Sequence, residues 1–337
     1  MKFNNQQEML AANDAGIYLP QDNGNPNPGI ACMANASRFV EAHFSEPLTT
    51  YATGWRDQEG LQDLLDFVAP PVEVPRKFEY VQFVNAEAFL QETDDVRAIG
   101  SDFKRVEYTQ AKATSTTLNK GLTYRVDLDN VDPNTNWREK IVSQLQLRVL
   151  RNDVRRAVLL LRAAGATGGA KTWTSGAVDP DMDVINEVVT ATGIIGLPPT
   201  NLLYDLVAWQ RRAVGHRAQA TAGGFSSANL TVDEVAALVG CQRGKVARHS
   251  YQSGAATKSF LGSASDGSAQ AMVFLANAQQ SVDDPSNIKR FVTQTMGGTM
   301  VRVYEQQVSM KLIDITVEQY SRPLITSTLG IRYIAVS

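Results

Sequence analysis

NTNWREKIVSQLQLRVLRNDVRRAVLLLRAAG, residues 134–165, is the stretch on which the fold turns. Leu147, Leu150, Val154, Val158 and Leu161 recur three and four residues apart, lining one side of an α-helix with apolar groups. Arg148, Arg151, Arg155 and Arg162 share a second stripe. Asn134 or Asn136 supplies the cap, and Gly165 follows Ala164 at the far end. A helix over about 134–164 is roughly 40 Å long at 1.5 Å per residue, a strut rather than an ordinary packing helix.

Upstream of the strut the chain reads as β. Leu122, Tyr124, Val126 and Leu128 alternate with Thr123, Arg125, Asp127 and Asp129, a strand with one wet face. Phe78–Val84 and Arg105–Tyr108 are aromatic- and valine-rich partners for it. Between them, Ala111–Thr117 is small and polar, which predicts a soft tip on a two-stranded excursion. Such a ribbon is marginal alone in water, so it needs a partner surface. Residues 1–76 read as an arm: Gln21–Gly29 is turn chemistry, Ser37–Phe44 and Gly60–Phe67 are short amphipathic pieces, and Ala69–Pro75 is a proline-rich exit.

Downstream, residues 181–299 mix helix and strand. Asp181 or Asp183 starts a helix that ends near Gly193. Thr231-Val-Asp-Glu234 is a capping box, and Gly240 suits a helix C-terminus. Strand-like runs follow at Lys245–Tyr251, Ala271–Ala276 and Ile288–Thr295, around a Gly/Ser-rich loop at Gly262–Ser268. After Gly297-Gly298, Val308, Met310 and Leu312 alternate, then the phase slips to Ile313, Ile315 and Val317, as at a β-bulge. Ile331, Tyr333 and Ala335 close the chain as a last strand.

The chain has 337 residues, 43% of them apolar, enough for about two domains. A net charge of −3 argues against a phosphate-gripping protein, which carries a basic excess. Cys32 and Cys241 follow no metal-ligand spacing and read as free thiols of a reducing cytosol. No signal-peptide pattern opens the chain, and no apolar run approaches the ~18 residues that span a bilayer. A soluble product made in the cytoplasm is expected.

Chemistry is tested against motifs. Gly165-Ala-Thr-Gly-Gly-Ala-Lys-Thr172 approaches a phosphate-binding loop, but Ala170 replaces its second glycine and the run follows a helix. It reads as a flexible exit from the strut, and a nucleotide-binding enzyme is the remotest alternative. Asp179-Pro-Asp-Met-Asp183 lacks the glycine and final glutamate of a calcium loop and reads as an N-cap with first-turn carboxylates. His43, His216 and His249 form no paired-ligand spacing, and no G-x-S-x-G elbow occurs. No catalytic residue, cofactor or metal is expected.

The order of parts carries a resemblance. Arm, β excursion, strut, α/β insertion and β return resemble the α+β Hong Kong 97-type fold of tailed-bacteriophage major capsid proteins. Lys77-Phe-Glu-Tyr80, Val154–Leu161, and Pro199-Thr-Asn-Leu-Leu203 ahead of Trp209 resemble local runs of that family. The resemblance implies an N-terminal arm (1–76) and an extended β loop (77–129) reaching over a neighbour. It further implies a peripheral domain (130–180 and 300–337) holding the spine helix, and an axial domain (181–299). The function implied is self-assembly of hexamers and pentamers into an icosahedral virion shell around double-stranded DNA. The alternative of similar fold is an encapsulin-like nanocompartment shell.

Lys104, Lys112, Lys120, Arg148, Arg151, Arg155 and Arg162 become candidate inter-subunit contacts, and Gly165, Gly168 and Gly169 candidate hinges. The arginine stripe stays open between a solvated face, pairing with acidic groups of neighbouring copies, and loose contact with DNA. The resemblance also implies a portal, a possible decoration protein, DNA held without sequence specificity, and no membrane. With only 76 residues ahead of the loop, a separate scaffolding protein is expected. Deleting Ala111–Asn119 is expected to leave the subunit soluble and folded but to impair closed-shell formation. Some capsids of this fold join a loop lysine to an asparagine of a neighbour. Lys104, Lys112 and Lys120 offer donors, with Glu305 or Glu318 as base, but no asparagine follows Asn287, so a non-covalent shell is expected.

Overall fold

The computed structural model describes residues 43–84, 95–97, 99, 102–103, 111–132, 135–252, 258–264, 266–277, 281–295 and 298–337. The arm up to residue 42, with Cys32, lies outside the described residues, as do Lys104, the strand expected at 105–108, and Asn134.

Two short helices come first, α1 (Glu46–Gly54) and α2 (Leu61–Val68). Pro47 sits in the first turn of α1, where a missing N–H costs nothing. Gly60 adopts φ 77° to launch α2, whose Leu61, Leu64, Leu65, Phe67 and Val68 are buried. Strands β1 (Pro71–Glu73), β2 (Lys77–Gln82), β3 (Ala111–Thr116) and β4 (Leu118–Asp127) lead to the strut, α3 (Trp137–Ala164). Its 28 residues span about 42 Å. The helix starts at Trp137 behind Asn136, whose side chain makes no capping hydrogen bond.

Next come β5 (Ala166–Lys171), α4 (Pro180–Ile195), β6 (Asn201–Asp205), α5 (Leu206–Ala218), α6 (Ala222–Ala228) and α7 (Val232–Leu238). The capping box at Thr231 and Glu234 is present, and Gly240 has φ 87°. The chain ends with β7 (Arg243–Ala247), β8 (Ser250–Gln252), β9 (Lys258–Phe260), β10 (Ala269–Phe274), β11 (Ile288–Thr293), β12 (Val301–Gln307), β13 (Leu312–Ile325) and β14 (Arg332–Val336).

Two five-stranded sheets organise these elements. In the first, β13 is the shared strand: its start lies between β12 and β4, and its end pairs with β11, which holds β1. The second runs β5-β14-β10-β6-β7. Its strands alternate faces, as pleated strands must. Leu203, Met272, Phe274 and Tyr333 meet Leu65, Val154, Val158 and Leu161 of α2 and α3. Leu202, Tyr204, Ala271, Val273 and Ile334 meet Val184, Val188, Ala208 and Val235 of α4, α5 and α7. Helix, sheet and helix thus form three layers. Each fully buried leucine here contributes about 1.5–3 kcal/mol.

Three expectations are corrected. Ala111–Thr116 is a strand, not a soft tip: it pairs with β2 over six residues and buries Ala113 and Ser115. Its small side chains fit beneath Phe78, Tyr80 and Phe291, whose bulk supplies the core. Ala166–Lys171 is likewise a strand, parallel to β14, rather than a flexible exit. The phase slip at 312/313 is a hairpin, not a bulge: Val308 and Ser309 N–H donate to the Leu312 carbonyl, turning β12 into β13.

The ladders also cross the boundaries expected at 180/181 and 299/300. Strands β5 and β14 pair within the sheet of β6 and β10, and β11 pairs with β13.

Candidate assembly surfaces

The strut meets different neighbours along its length. Its first half packs Val142 and Leu145 on Val303, Ile313, Ile315 and Val317 of the first sheet. At its middle stands a buried polar knot. Lys120 of β4 places Nζ 2.7 Å from Asp153 Oδ1 and 3.1 Å from Ser321 Oγ. Arg156 donates to the same carboxylate at 3.0 Å, Gln319 at 2.9 Å and Ser321 at 3.2 Å. Burial alone would raise the Asp153 carboxyl. Attraction to Lys120 and Arg156 outweighs it and holds the group below its ordinary value. Burial pulls the Lys120 ammonium down to about 8 against that attraction.

The arginine stripe divides because the second sheet and the loop at Leu261–Ala264 cover the far half of the strut. Arg148 is exposed, and Arg151 lies 3.5 Å from Glu59. Arg155 is 2% exposed. It donates to the carbonyls of Leu261, Ser263 and Ala264 and stacks 4.3 Å from the Tyr251 ring. Arg162 lies 3.5 Å from the Tyr333 ring and donates to Gln270 at 2.8 Å. Lys112 is exposed on β3. The structure therefore brings Lys120, Arg155 and Arg162 into intrachain contacts, and leaves Lys112 and Arg148 facing solvent.

Gly165 ends the strut with φ −74°, and Gly168 and Gly169 lie within β5. A Cβ on Gly168 would stand 2.2 Å from Glu187 Oε1, the carboxylate that binds Arg332 at 2.6 Å. Gly169 has φ 92°, a conformation that side chains resist. Close approach and backbone shape explain these two glycines.

The run at Asp179 caps helix α4, as its first-turn carboxylates predict. Asp179 accepts from the N–H groups of Asp181 and Met182. Sequence reading missed what Asp181 does. Its carboxylate receives Arg212 through two bonds of 2.6 and 2.7 Å and lies 3.1 Å from His216 Nε2. Asp179, Asp181 and His216 are close enough to share a metal ion. Arg212 engages both Asp181 oxygens, so the group acts as a tie between α4 and α5. The contact spans 31 residues, and nothing local in the sequence announces it.

Large apolar side chains also face solvent, among them Val96, Ile99, Phe103, Val189, Leu238 and Met310. No helix among the described residues is long and apolar enough to cross a membrane.

The strut packs its first half on the first sheet and its second half on the second, and solved structures share this arrangement. A phage-related protein from Bordetella bronchiseptica RB50 superposes with TM-score 0.61 at 17% identity, covering 87% of this chain and 97% of its own. A chain from Gordonia phage Cozz gives 0.51 at 11%, covering 93% and 98%. The capsid of Myoviridae phage XM1 gives 0.51 at 8%, covering 85% and 95%. No family model and no curated protein matches the chain. The chain has the mixed helix-and-sheet fold of tailed-phage capsid proteins.

Proposed function

We propose that this chain is a major capsid protein of Hong Kong 97 type, assembling as hexamers and pentamers into an icosahedral virion shell around double-stranded DNA. The carrying observation is the shared fold over 85% of this chain and 95% of the XM1 capsid chain. It acts by geometry rather than catalysis. The excursion at 77–129, the spine-bearing peripheral part and the axial part around 181–299 each meet other copies. The ladders support moving β5 and β14 into the axial unit and β11 into the peripheral one. Lys112 and Arg148 are the contact candidates whose charges face outward, and Gly165, at the junction of the strut and β5, is where the two parts would swing, whereas Gly168 and Gly169 sit inside a paired strand. Assembly in the host cytoplasm with a separate scaffolding protein and a portal completes the reading.

Electron microscopy of the purified chain, alone and with its genomic neighbours, tests this. Closed icosahedral particles that protect DNA from nuclease are expected. Particles filled with a protein cargo instead would favour a nanocompartment, and a chain that never assembles would sink both.

A further inference from the structure

Between α1, α2, the strut and the first sheet lies a hollow of about 470 Å³. Small-molecule sites are commonly about 300–1,000 Å³, so the hollow has the size of one. Trp55, Val149, Leu150, Val301 and Val317 give it an apolar wall. Trp55 ends α1, Val149 and Leu150 belong to the strut, and Val301 and Val317 come from β12 and β13. The wall is therefore a product of tertiary packing within one subunit.

The polar groups of the hollow are mostly acceptors. Gln146 stands in the wall, 7% exposed. Its Nε2 donates to the Ala52 carbonyl at 2.9 Å, whereas its Oε1 has no hydrogen-bond partner among the described residues. A buried acceptor left so costs free energy until a donor arrives. Asp57, Asp63 and Asp66 add carboxylates to the lining. Asp63 and Asp66 are engaged by Lys245 and Arg290. Asp57 accepts only from the backbone N–H groups of Glu59 and Gln62 among the described residues, and no cation there pairs with its charge. Arg56 is the only cation of the lining, and its side chain is exposed and able to turn to water.

We infer that the hollow binds an aliphatic amine, whose ammonium donates to Gln146 Oε1 in the field of Asp57 and whose hydrocarbon chain lies on the apolar wall. The acceptors decide the class of ligand. An anion would face three carboxylates and an amide oxygen. A bare hydrocarbon would leave Gln146 Oε1 unmet. An ammonium answers the acceptor and the charge together, and an indole ring such as Trp55 suits a cation. Each methylene of the ligand that leaves water for the wall adds affinity. The inference stands apart from the shell reading, because the hollow lies within a single subunit.

Isothermal titration of the purified full chain with hexylammonium chloride tests this, with hexanol and sodium hexanoate as probes of matched length. Saturable binding of the ammonium at a single site per subunit is expected, on the order of tenfold or more tighter than either matched probe. Gln146→Leu removes the orphaned acceptor, and Asp57→Asn removes the charge while keeping an acceptor for the Glu59 and Gln62 N–H groups. Each should weaken the ammonium on the order of tenfold and leave hexanol binding unchanged. Should Gln146→Leu fail to fold, read by its thermal melt, Asp57→Asn decides alone. The absence of saturable heat overturns the inference. So does hexanol or hexanoate binding as tightly as the ammonium, or full ammonium affinity in folded Asp57→Asn.

Discussion

Lys120 and Asp153 meet at 2.7 Å with both side chains almost wholly removed from water, on elements 33 residues apart. Their partners are unequal. Asp153 is served by four donors, whereas Lys120 donates to Asp153 and Ser321. Breaking a buried pair from one side leaves the other charge uncompensated, at about 3–5 kcal/mol. Asp153→Ala, which strands Lys120, should reach that range. Lys120→Met should cost only about 1–3 kcal/mol, because Arg156 still neutralises the carboxylate. Urea melts of both variants check this; equal losses would refute the asymmetry.

Gly168 and Gly169 are neighbours whose replacement fails for different reasons. Gly168→Ala drives a methyl into the Glu187 carboxylate and so disturbs the Glu187–Arg332 bridge between α4 and β14. A loss of about 1–3 kcal/mol is expected. Gly169→Ala meets no atom within 4 Å but must hold φ 92°, for about 1–2 kcal/mol. Adding Glu187→Ala, which removes the crowding carboxylate, should cost less in the Gly168→Ala background than alone, and should simply add to Gly169→Ala in thermal melts.

Part of this architecture was legible in the sequence. The strut, the capping box and most strands of the second sheet follow from periodicity and end signals that act within a few residues. The errors share one cause. Ala111–Thr116 and Ala166–Lys171 have little apolar content of their own, so their strand state depends on partners distant in sequence, β2 and β14. The arginine stripe failed similarly. Four arginines on one periodic stripe look equivalent, yet the loop at Leu261–Ala264 buries Arg155 alone among them. Local pattern reports local physics, and tertiary cover does not appear in it.

Asp205, at the end of β6, is 1% exposed. Burial pushes its carboxyl up to about 6, against the pull of the Leu206 and Val207 N–H groups and of Arg211 and Arg155. The unfolded chain returns it to about 3.9. Between those values the folded state binds more protons, so this group's contribution to stability falls as pH rises through 4 to 6 and is flat above. Asp205→Asn removes the penalty and should stabilise the subunit at pH 7 by about 1–2 kcal/mol. That gain should shrink as pH drops below 6. A gain of the same size at pH 4.5 and pH 7.5 would place its origin elsewhere.

The last prediction concerns covalent bonds between copies. Joining a lysine to an asparagine needs an unprotonated amine, an accessible amide and a carboxylate to take the proton. Lys120 is held as the cation partner of Asp153 and faces inward, so its amine is committed within the subunit. Asn287, the last asparagine in the chain, is equally engaged. Its Oδ1 accepts from the Leu275 N–H at 2.6 Å, and its Nδ2 donates to the carbonyls of Ser327 and Leu329. Glu318, one candidate base, lies 2.5 Å from the Tyr304 hydroxyl. Lys112 remains exposed, but an amine without an electrophile forms no bond. Particles boiled in detergent under reducing conditions should therefore run as a single band at the mass of the free subunit. A ladder of covalent pentamers and hexamers would require an acceptor outside the residues considered, and mass mapping of the linked peptides would locate it.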